Sequence, residues 1–157
     1  MKSIYPCLWF DGQAEEAARF YTALVPNSKI ETISYYGDEG PGVKGQALTV
    51  MFQLNGQELM ALNGGPEFKF TPAISLFVNC ETQEEVDALW EGLSAGGRKD
   101  QCGWLTDRYG VSWQIVPTVL GELMSDPDPE KSGRVMKAML GMTKLDIAGL
   151  RAAYEGG

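Results

Sequence analysis

Few side chains in this sequence could do chemistry, because its 157 residues include no histidine. Serine and cysteine nucleophiles that are activated by histidine are therefore excluded, and the commonest metal ligand of proteins is absent. The three cysteines (7, 80 and 102) have no CxxC spacing, so they predict neither a disulfide framework nor a zinc site. The remaining candidates for chemistry are the thiol of Cys7 and the amide of Gln114.

Each candidate also has a structural interpretation. Cys7 is either a nucleophile or a small buried hydrophobic residue, since no histidine is available to activate it. Gln114 is either a functional group or a buried amide whose hydrogen bonds are satisfied within the protein. Asp107 is either a base or a turn former, because an aspartate can accept a hydrogen bond from the backbone two residues later.

Gln114 lies in a segment, Cys102–Pro117, whose pattern predicts a hairpin with a tight turn at Asp107–Gly110. After the turn, two sets of side chains alternate: Val111, Trp113 and Ile115 in one set, and Ser112, Gln114 and Val116 in the other. The first set is expected to pack against helices. The second face carries an amide among smaller groups, so it is either solvated or lines a pocket.

Composition bounds the class of protein. The hydrophobic fraction of 44% allows a core, and no apolar run approaches the roughly 20 residues of a spanning helix. The net charge of −8, with scattered basic residues, argues against a nucleic-acid partner. The first residues, MKSIYPCLWFDGQ, reach acidic groups too soon for a signal peptide, so we expect a cytoplasmic protein with no membrane partner.

Hydrophobic periodicity predicts the same order of elements twice. The first half reads as a strand over Ile4–Phe10, a helix over Ala14–Leu24, and strands over Lys29–Tyr36, Gln46–Leu54 and Gln57–Leu62. The second half reads as a strand over Ala73–Asn79, a helix capped at Thr82, a weak strand over Arg98–Cys102 and the hairpin. Helices follow Pro117, one of them capped by Asp128 with Pro129 at its first position. The glycine-rich loop Gly37–Gly45 is either a lid or an ordinary surface loop.

The two halves align as an internal repeat. A shift of 69 residues superposes the helices, and the strands before them pair Cys7 with Ser75 and Trp9 with Phe77. Equating the turn glycines Gly56 and Gly110 pairs Met60 with Gln114. We therefore predict an α+β fold in which residues 1–157 form a single domain. Its parts are two βαβββ modules (1–65 and 72–118), joined near Gly64–Thr71, and a helical tail (119–157).

Four motifs carry a resemblance to a known family: PCLWFDGQAEEAARFY, MALNGGPEFKF, CETQEEVD and DRYGVSWQIVP. Together they resemble the vicinal-oxygen-chelate (glyoxalase/bleomycin-resistance/dioxygenase) superfamily. Within it they are most similar to the PhnB-like branch, which is often labelled 3-demethylubiquinone-9 3-methyltransferase-like. The resemblance covers residues 4–117. It implies that each module curls its sheet into a half-barrel, that two modules form a cupped mixed sheet around a cleft, and that two chains form a homodimer.

The resemblance also implies a divalent metal held by His, Glu or Gln from the first and last strands of each module. The corresponding positions here are Tyr5 (or Pro6), Met60, Ala73 and Gln114. One amide cannot hold a hard divalent ion, so we expect neither a metal nor another cofactor. The methyltransferase label implies a methyl donor, yet the glycine-rich loop lies between two strands instead of opening a helix.

The face expected to line the cleft is aromatic and mostly apolar, as small-molecule sites are. The candidate ligand-binding residues are Tyr5, Cys7, Trp9, Met60, Asn63, Ser75, Phe77, Trp104 and Gln114. Core packing is the alternative for the aromatic residues, and turn capping is the alternative for Asn63.

Three functions remain open. The first is a metal-independent protein that binds a small aromatic or hydrophobic molecule, and it is the one we favour. The second is a superfamily enzyme (lyase, dioxygenase or methyltransferase-like) that uses Gln114 and Cys7. The third is a degenerate scaffold that binds nothing.

Overall fold

The computed structural model describes residues 1–157, and the chain divides into two compact units, Met1–Phe70 and Thr71–Gly157. The division falls inside the Gly64–Thr71 segment, where the sequence predicts the junction between the two modules.

The first unit contains one helix and one four-stranded mixed sheet. Its elements are β1 (Cys7–Phe10), α1 (Ala14–Leu24), β2 (Ser28–Tyr35), β3 (Ala47–Leu54) and β4 (Gln57–Asn63). The strand order is β1-β4-β3-β2, with β1 parallel to β4 and the other neighbours antiparallel. The first strand is shorter than the predicted Ile4–Phe10, so Tyr5 lies outside it.

The second unit repeats this arrangement and adds three helices. Its elements are β5 (Ser75–Cys80), α2 (Gln83–Ser94), β6 (Arg98–Lys99), β7 (Trp104–Thr106), β8 (Ser112–Pro117), α3 (Thr118–Met124), α4 (Pro129–Leu140) and α5 (Ile147–Glu155). The strand order β5-β8-β7-β6, with β5 parallel to β8, has the same topology as the first sheet. The predicted α+β fold of two βαβββ modules followed by helices is confirmed.

Strand pairing corrects one detail of the repeat. Trp9 lies opposite Leu62 in the first sheet, and Phe77 lies opposite Gln114 in the second. If Trp9 and Phe77 are equivalent, then Leu62, and not Met60, is the counterpart of Gln114. Equating the turn glycines was wrong by two residues because the two hairpin turns differ in length. A two-residue error preserves the side of the sheet on which a side chain lies, so the predicted faces are unaffected.

Side-chain hydrogen bonds cap the N-termini of α2 and α4. At α2 the Glu85 N–H donates to the Thr82 hydroxyl oxygen at 3.2 Å, which is half of the predicted capping box. The Glu85 carboxylate accepts from the same hydroxyl at 3.4 Å instead of from the backbone. At α4 the carboxylate of Asp128 accepts from the Glu130 N–H at 2.9 Å, and Pro129 occupies the first helical position as predicted.

The turn between β7 and β8 is built around Asp107, which is only 2% exposed. Oδ1 of its carboxylate accepts from the N–H groups of Tyr109 and Val111 at 2.8 and 3.0 Å. Oδ2 accepts from the indole Nε1 of Trp113 at 2.9 Å. Asp107 is therefore a turn former, as its position in the hairpin indicated, and it also ties the turn to the core through Trp113.

The three tail helices form a small core of their own within the second unit. Its buried residues are Val119, Leu123, Val135 and Leu150. The segment between α4 and α5 attaches this layer to the module, with Leu145 completely buried. The side chain of Gln83 donates to the Leu145 carbonyl at 3.2 Å and accepts from the Ile147 N–H at 2.8 Å. Backbone N–H groups of Cys102 and Gly103 donate to the carbonyls of Met142 and Thr143, each at 2.8 Å.

None of the five helices has the length and apolar character that crossing a membrane requires.

Replacing Asp107 by alanine is expected to destabilise the protein by about 2–4 kcal/mol, because three donors, two of them buried, lose their acceptor. Urea unfolding followed by tryptophan fluorescence measures this loss. Asp100→Ala is the control, since that carboxylate pairs with Arg98 in an exposed ion pair and should cost at most about 1 kcal/mol. Equal effects of the two substitutions would contradict the role assigned to Asp107.

Candidate functional site

Each sheet has one face that packs under a helix and one that does not; we name the second the open face. In β1, Leu8 and Phe10 are buried on the helix side, so Cys7 and Trp9 belong to the open face. Pairing with β4 extends these positions across the sheet, from Cys7 to Met60 and from Trp9 to Leu62. The open face of the first unit therefore carries an apolar patch of partly buried side chains beside the Cys7 thiol.

The open face of the second unit brings an amide between two aromatic rings. Phe77, Gln114 and Trp104 lie side by side on β5, β8 and β7, in one row of the register. Phe77 is 52% exposed, although burial of a phenyl ring is strongly favourable. Trp104 and Gln114 are partly buried. We name this set of three residues the aromatic row.

The amide in this row is oriented by a neighbour on the same face. Nε2 of Gln114 donates to the Ser75 hydroxyl oxygen at 3.0 Å. The amide oxygen of Gln114 has no hydrogen-bond partner in the protein, so it is available as an acceptor. Ser75 therefore positions Gln114. Both residues belong to the predicted ligand-binding set, and they contact each other directly.

Trp9 is held by the segment that follows β4. Its indole Nε1 donates to the Gly65 carbonyl at 2.8 Å, and its ring meets Phe68 edge-on at 4.9 Å between centroids. A methyl group at Gly64 would lie 2.5 Å from three carbons of this ring, so only glycine allows the contact. Trp9 therefore fixes the path of the chain after β4, and only part of its surface remains accessible on the open face.

Asn63 lies on the other side of the first sheet, where it is 5% exposed. Its Oδ1 accepts from the Ala14 N–H at 2.9 Å, and its Nδ2 donates to the Ala47 carbonyl at 2.9 Å. Gln13, at the start of α1, makes no side-chain cap, so Asn63 supplies the cap from β4 instead. Both atoms of its amide are thus engaged by the backbone, and we do not include it among the proposed ligand contacts.

Tyr5 precedes β1 and is partly buried. The backbone ladder begins one residue later, where the Met60 N–H donates to the Pro6 carbonyl at 3.0 Å. Tyr5 is therefore not one of the residues whose side the strand register fixes.

Burial raises the pKa of the Cys7 thiol above its usual value of 9.0. The Cys7 residue is exposed, so it is not the small buried hydrophobic residue of the structural interpretation, but partial burial of its sulfur still opposes ionisation because the thiolate loses hydration. Burial, followed by the charge of Glu85, also raises the pKa of Cys80, to about 11. Both effects oppose nucleophilic chemistry at neutral pH.

The donor set does not suit the metal that the superfamily resemblance implies. No group of three or more His, Cys, Asp or Glu side chains in the structure could hold an ion. With Leu62 in place of Met60, the four positions that correspond to the superfamily ligands (Tyr5, Leu62, Ala73 and Gln114) provide one phenol, two aliphatic side chains and one amide. Divalent ions require several oxygen or imidazole donors, and these positions do not supply them.

Comparison with known proteins decides the family. A model of the 3-demethylubiquinone-9 3-methyltransferase family matches residues 2–116. The chain belongs to that family. The PhnB protein of Bacillus cereus is 42% identical, with a TM-score of 0.69 over 74% of this chain and 100% of its own. These two matches confirm the PhnB-like resemblance that the four sequence motifs indicated.

Solved structures of lower sequence identity are similar to this chain in fold alone. A protein of Pseudomonas aeruginosa is 22% identical, with a TM-score of 0.63 over 74% of this chain and 98% of its own. A glyoxalase/bleomycin resistance protein of Albidiferax ferrireducens is 18% identical over 72% of this chain and 95% of its own. The TM-score of that match is 0.46. No curated protein matches the chain.

Gly64→Ala is expected to displace the Trp9 ring, because the added methyl overlaps it, and to destabilise the protein by about 1–3 kcal/mol. The loss should appear in urea unfolding, together with a changed tryptophan emission spectrum. Gly121→Ala is the matched control, since nothing lies within 4 Å of its Cβ position in α3; it should be neutral or slightly stabilising. A neutral Gly64→Ala would show that the contact with Trp9 is not tight.

Alkylation of Cys7 by iodoacetamide should be slow at pH 7 and accelerate as the pH rises through and above 9. The raised pKa keeps the thiol protonated at pH 7, and only the thiolate reacts rapidly. Peptide mass spectrometry of timed reactions gives the rate at Cys7 alone, and Cys7→Ser identifies the modified peptide. Rapid modification at pH 7 would instead support an activated nucleophile.

Proposed function

We propose that this PhnB-like protein binds a small aromatic or hydrophobic molecule on the open faces of its sheets, without the superfamily metal. The aromatic row of Phe77, Gln114 and Trp104 is the observation that carries the proposal. Two rings flank one amide at the spacing of adjacent strands, so a planar molecule could stack on the rings while it bonds to the amide.

Exposure of Phe77 supports a ligand more than a scaffold. A phenyl ring that is half exposed on a regular strand forgoes hydrophobic stabilisation of about 1 kcal/mol or more. Exposed aromatic residues beside polar ones are typical of surfaces that bind something. The scaffold interpretation instead expects these side chains to fill their own space, and Phe77 does not.

The polarity of the row indicates the kind of ligand. Because Ser75 accepts from Nε2 of Gln114, the amide presents its oxygen to a ligand. A flat molecule with a hydroxyl or N–H group would therefore bind better than its methylated analogue.

The enzyme alternatives receive less support. The family description names a methyl transfer, yet the glycine-rich loop joins β2 to β3 and opens no helix that could hold a methyl donor. The raised pKa of Cys7 weakens the proposal that it acts as a nucleophile. The homodimer and the cytoplasmic location stay predictions; α4 exposes Met136 and Leu140, which a second chain could cover.

The proposal is tested by titrating purified protein with 2-naphthol and 2-methoxynaphthalene, following tryptophan fluorescence and heat of binding. We expect 2-naphthol to bind, and Phe77→Ala to weaken it about tenfold, or about 1.4 kcal/mol. Tyr35→Ala is the control, because it removes a comparably exposed ring from the first unit. Gln114→Leu should abolish the preference for 2-naphthol over its methyl ether.

Two results would contradict the proposal. The first is that neither compound binds, or that Phe77→Ala and Tyr35→Ala have the same effect. The second is stoichiometric Zn, Ni, Mn or Fe in purified protein by elemental analysis, lost on Gln114→Leu, which would favour a metalloenzyme.

A further inference from the structure

A cleft of about 200 Å³ opens in the first unit beside the start of α1. Its walls are the turn Asp11–Gly12 after β1, part of the loop between β2 and β3, and Asn63–Gly65 at the end of β4. The glycine-rich loop therefore forms one wall of this cleft. Neither the loop nor the cleft includes a residue of the aromatic row.

This cleft is preformed because Tyr36 anchors the loop. The Tyr36 hydroxyl donates to the Asn63 carbonyl at 2.6 Å, and its backbone pairs with Gln46 and Gly45 at 2.9 and 2.8 Å. Gly42 packs directly against the ring, where any side chain would overlap it. Both ends of the loop are thus fixed around a buried ring, and the wall does not need to be assembled by a ligand.

The polar groups of the cleft are acidic or neutral. The Asp11 carboxylate and the Gln46 amide line it, and neither has a partner within the protein. A second carboxylate, from Glu67, lies 2.8 Å from the Cβ position of Gly65 on the rim. The nearby lysine of the loop, Lys44, is paired with Asp38 at 2.7 Å. An occupant that carries a positive charge would therefore be favoured.

The remaining surface of the cleft sets the size and apolar character of the occupant. Pro41 and Val43 supply apolar groups from the loop. A cavity of about 150 Å³ holds one benzene ring, so about 200 Å³ suits a ring with a short substituent. A metal ion fits less well, since no three ligating side chains converge in the structure.

We propose that this cleft binds a small organic ammonium ion, that is, one apolar ring or short chain carrying a protonated amine. The amine lies at Asp11, with Gln46 as a hydrogen-bond acceptor and Glu67 adding to the negative potential. The apolar part lies against Pro41 and Val43. This site is independent of the proposed function of the open faces.

The test uses the full chain and three probes of one shape: benzylammonium, benzyl alcohol and benzoate. Titrations are followed by the amide resonances of Gly12, Gly42 and Gly64 in ¹H–¹⁵N spectra. We expect saturable shifts with benzylammonium, weaker ones with the alcohol and none with benzoate. Asp11→Asn should weaken benzylammonium about three- to fivefold, the size expected for an exposed ion pair.

Glu122→Gln is the matched control, because it removes one exposed carboxylate from α3 in the other unit. It should leave the benzylammonium titration unchanged, and the spectra themselves show whether each variant is folded. The proposal is overturned if benzoate binds as well as benzylammonium, if no probe gives saturable shifts at these glycines, or if Asp11→Asn and Glu122→Gln behave alike. None of these results bears on binding of naphthol at the aromatic row.

Discussion

The carboxylate of Asp107 is the group on which the second unit most depends. It lies in the protein interior, and it satisfies two backbone N–H groups of the turn and the indole of Trp113 at once. Those bonds fix both the bend between β7 and β8 and the side of β8 that faces α2. Gln114 follows Trp113, so the same bonds decide that its amide lies on the opposite face, beside Phe77 and Trp104. The position of the aromatic row is thus a consequence of one buried aspartate side chain.

Much of the fold was predictable because it follows from local rules. Alternation along β8 gave the side of each residue, and the Thr82 cap and the Asp128–Pro129 pair gave the starts of α2 and α4. The repeat gave the topology, since the same order of elements occurs twice. The residue-by-residue register between strands that are distant in sequence was harder to predict. Counting from turn glycines placed Met60 opposite Gln114 in the repeat, whereas pairing gives Leu62, because turn length is not visible in an alternating pattern.

The candidate site was predictable by face but not by contact. Parity placed Cys7, Trp9, Phe77 and Gln114 on faces away from the helices, and the structure agrees. It could not show that Asn63 caps α1 across 49 residues of sequence, or that Trp9 bonds to Gly65. Both contacts depend on where the chain runs after β4, which sequence spacing does not determine. The cleft beside Asp11 was missed for the same reason, although the loop that forms it was evident from its glycines.

The tail is attached to the second module by both buried apolar contacts and hydrogen bonds. The family match ends at residue 116, just before α3 begins. Leu145 is completely buried. The side-chain amide of Gln83 donates to the Leu145 carbonyl and accepts from the Ile147 N–H. Without the tail, the surface that Leu145 covers would face water, and the Gln83 side chain would keep only its bond to Asp87 within α2. The tail helices and the second module are therefore expected to unfold together as one cooperative unit.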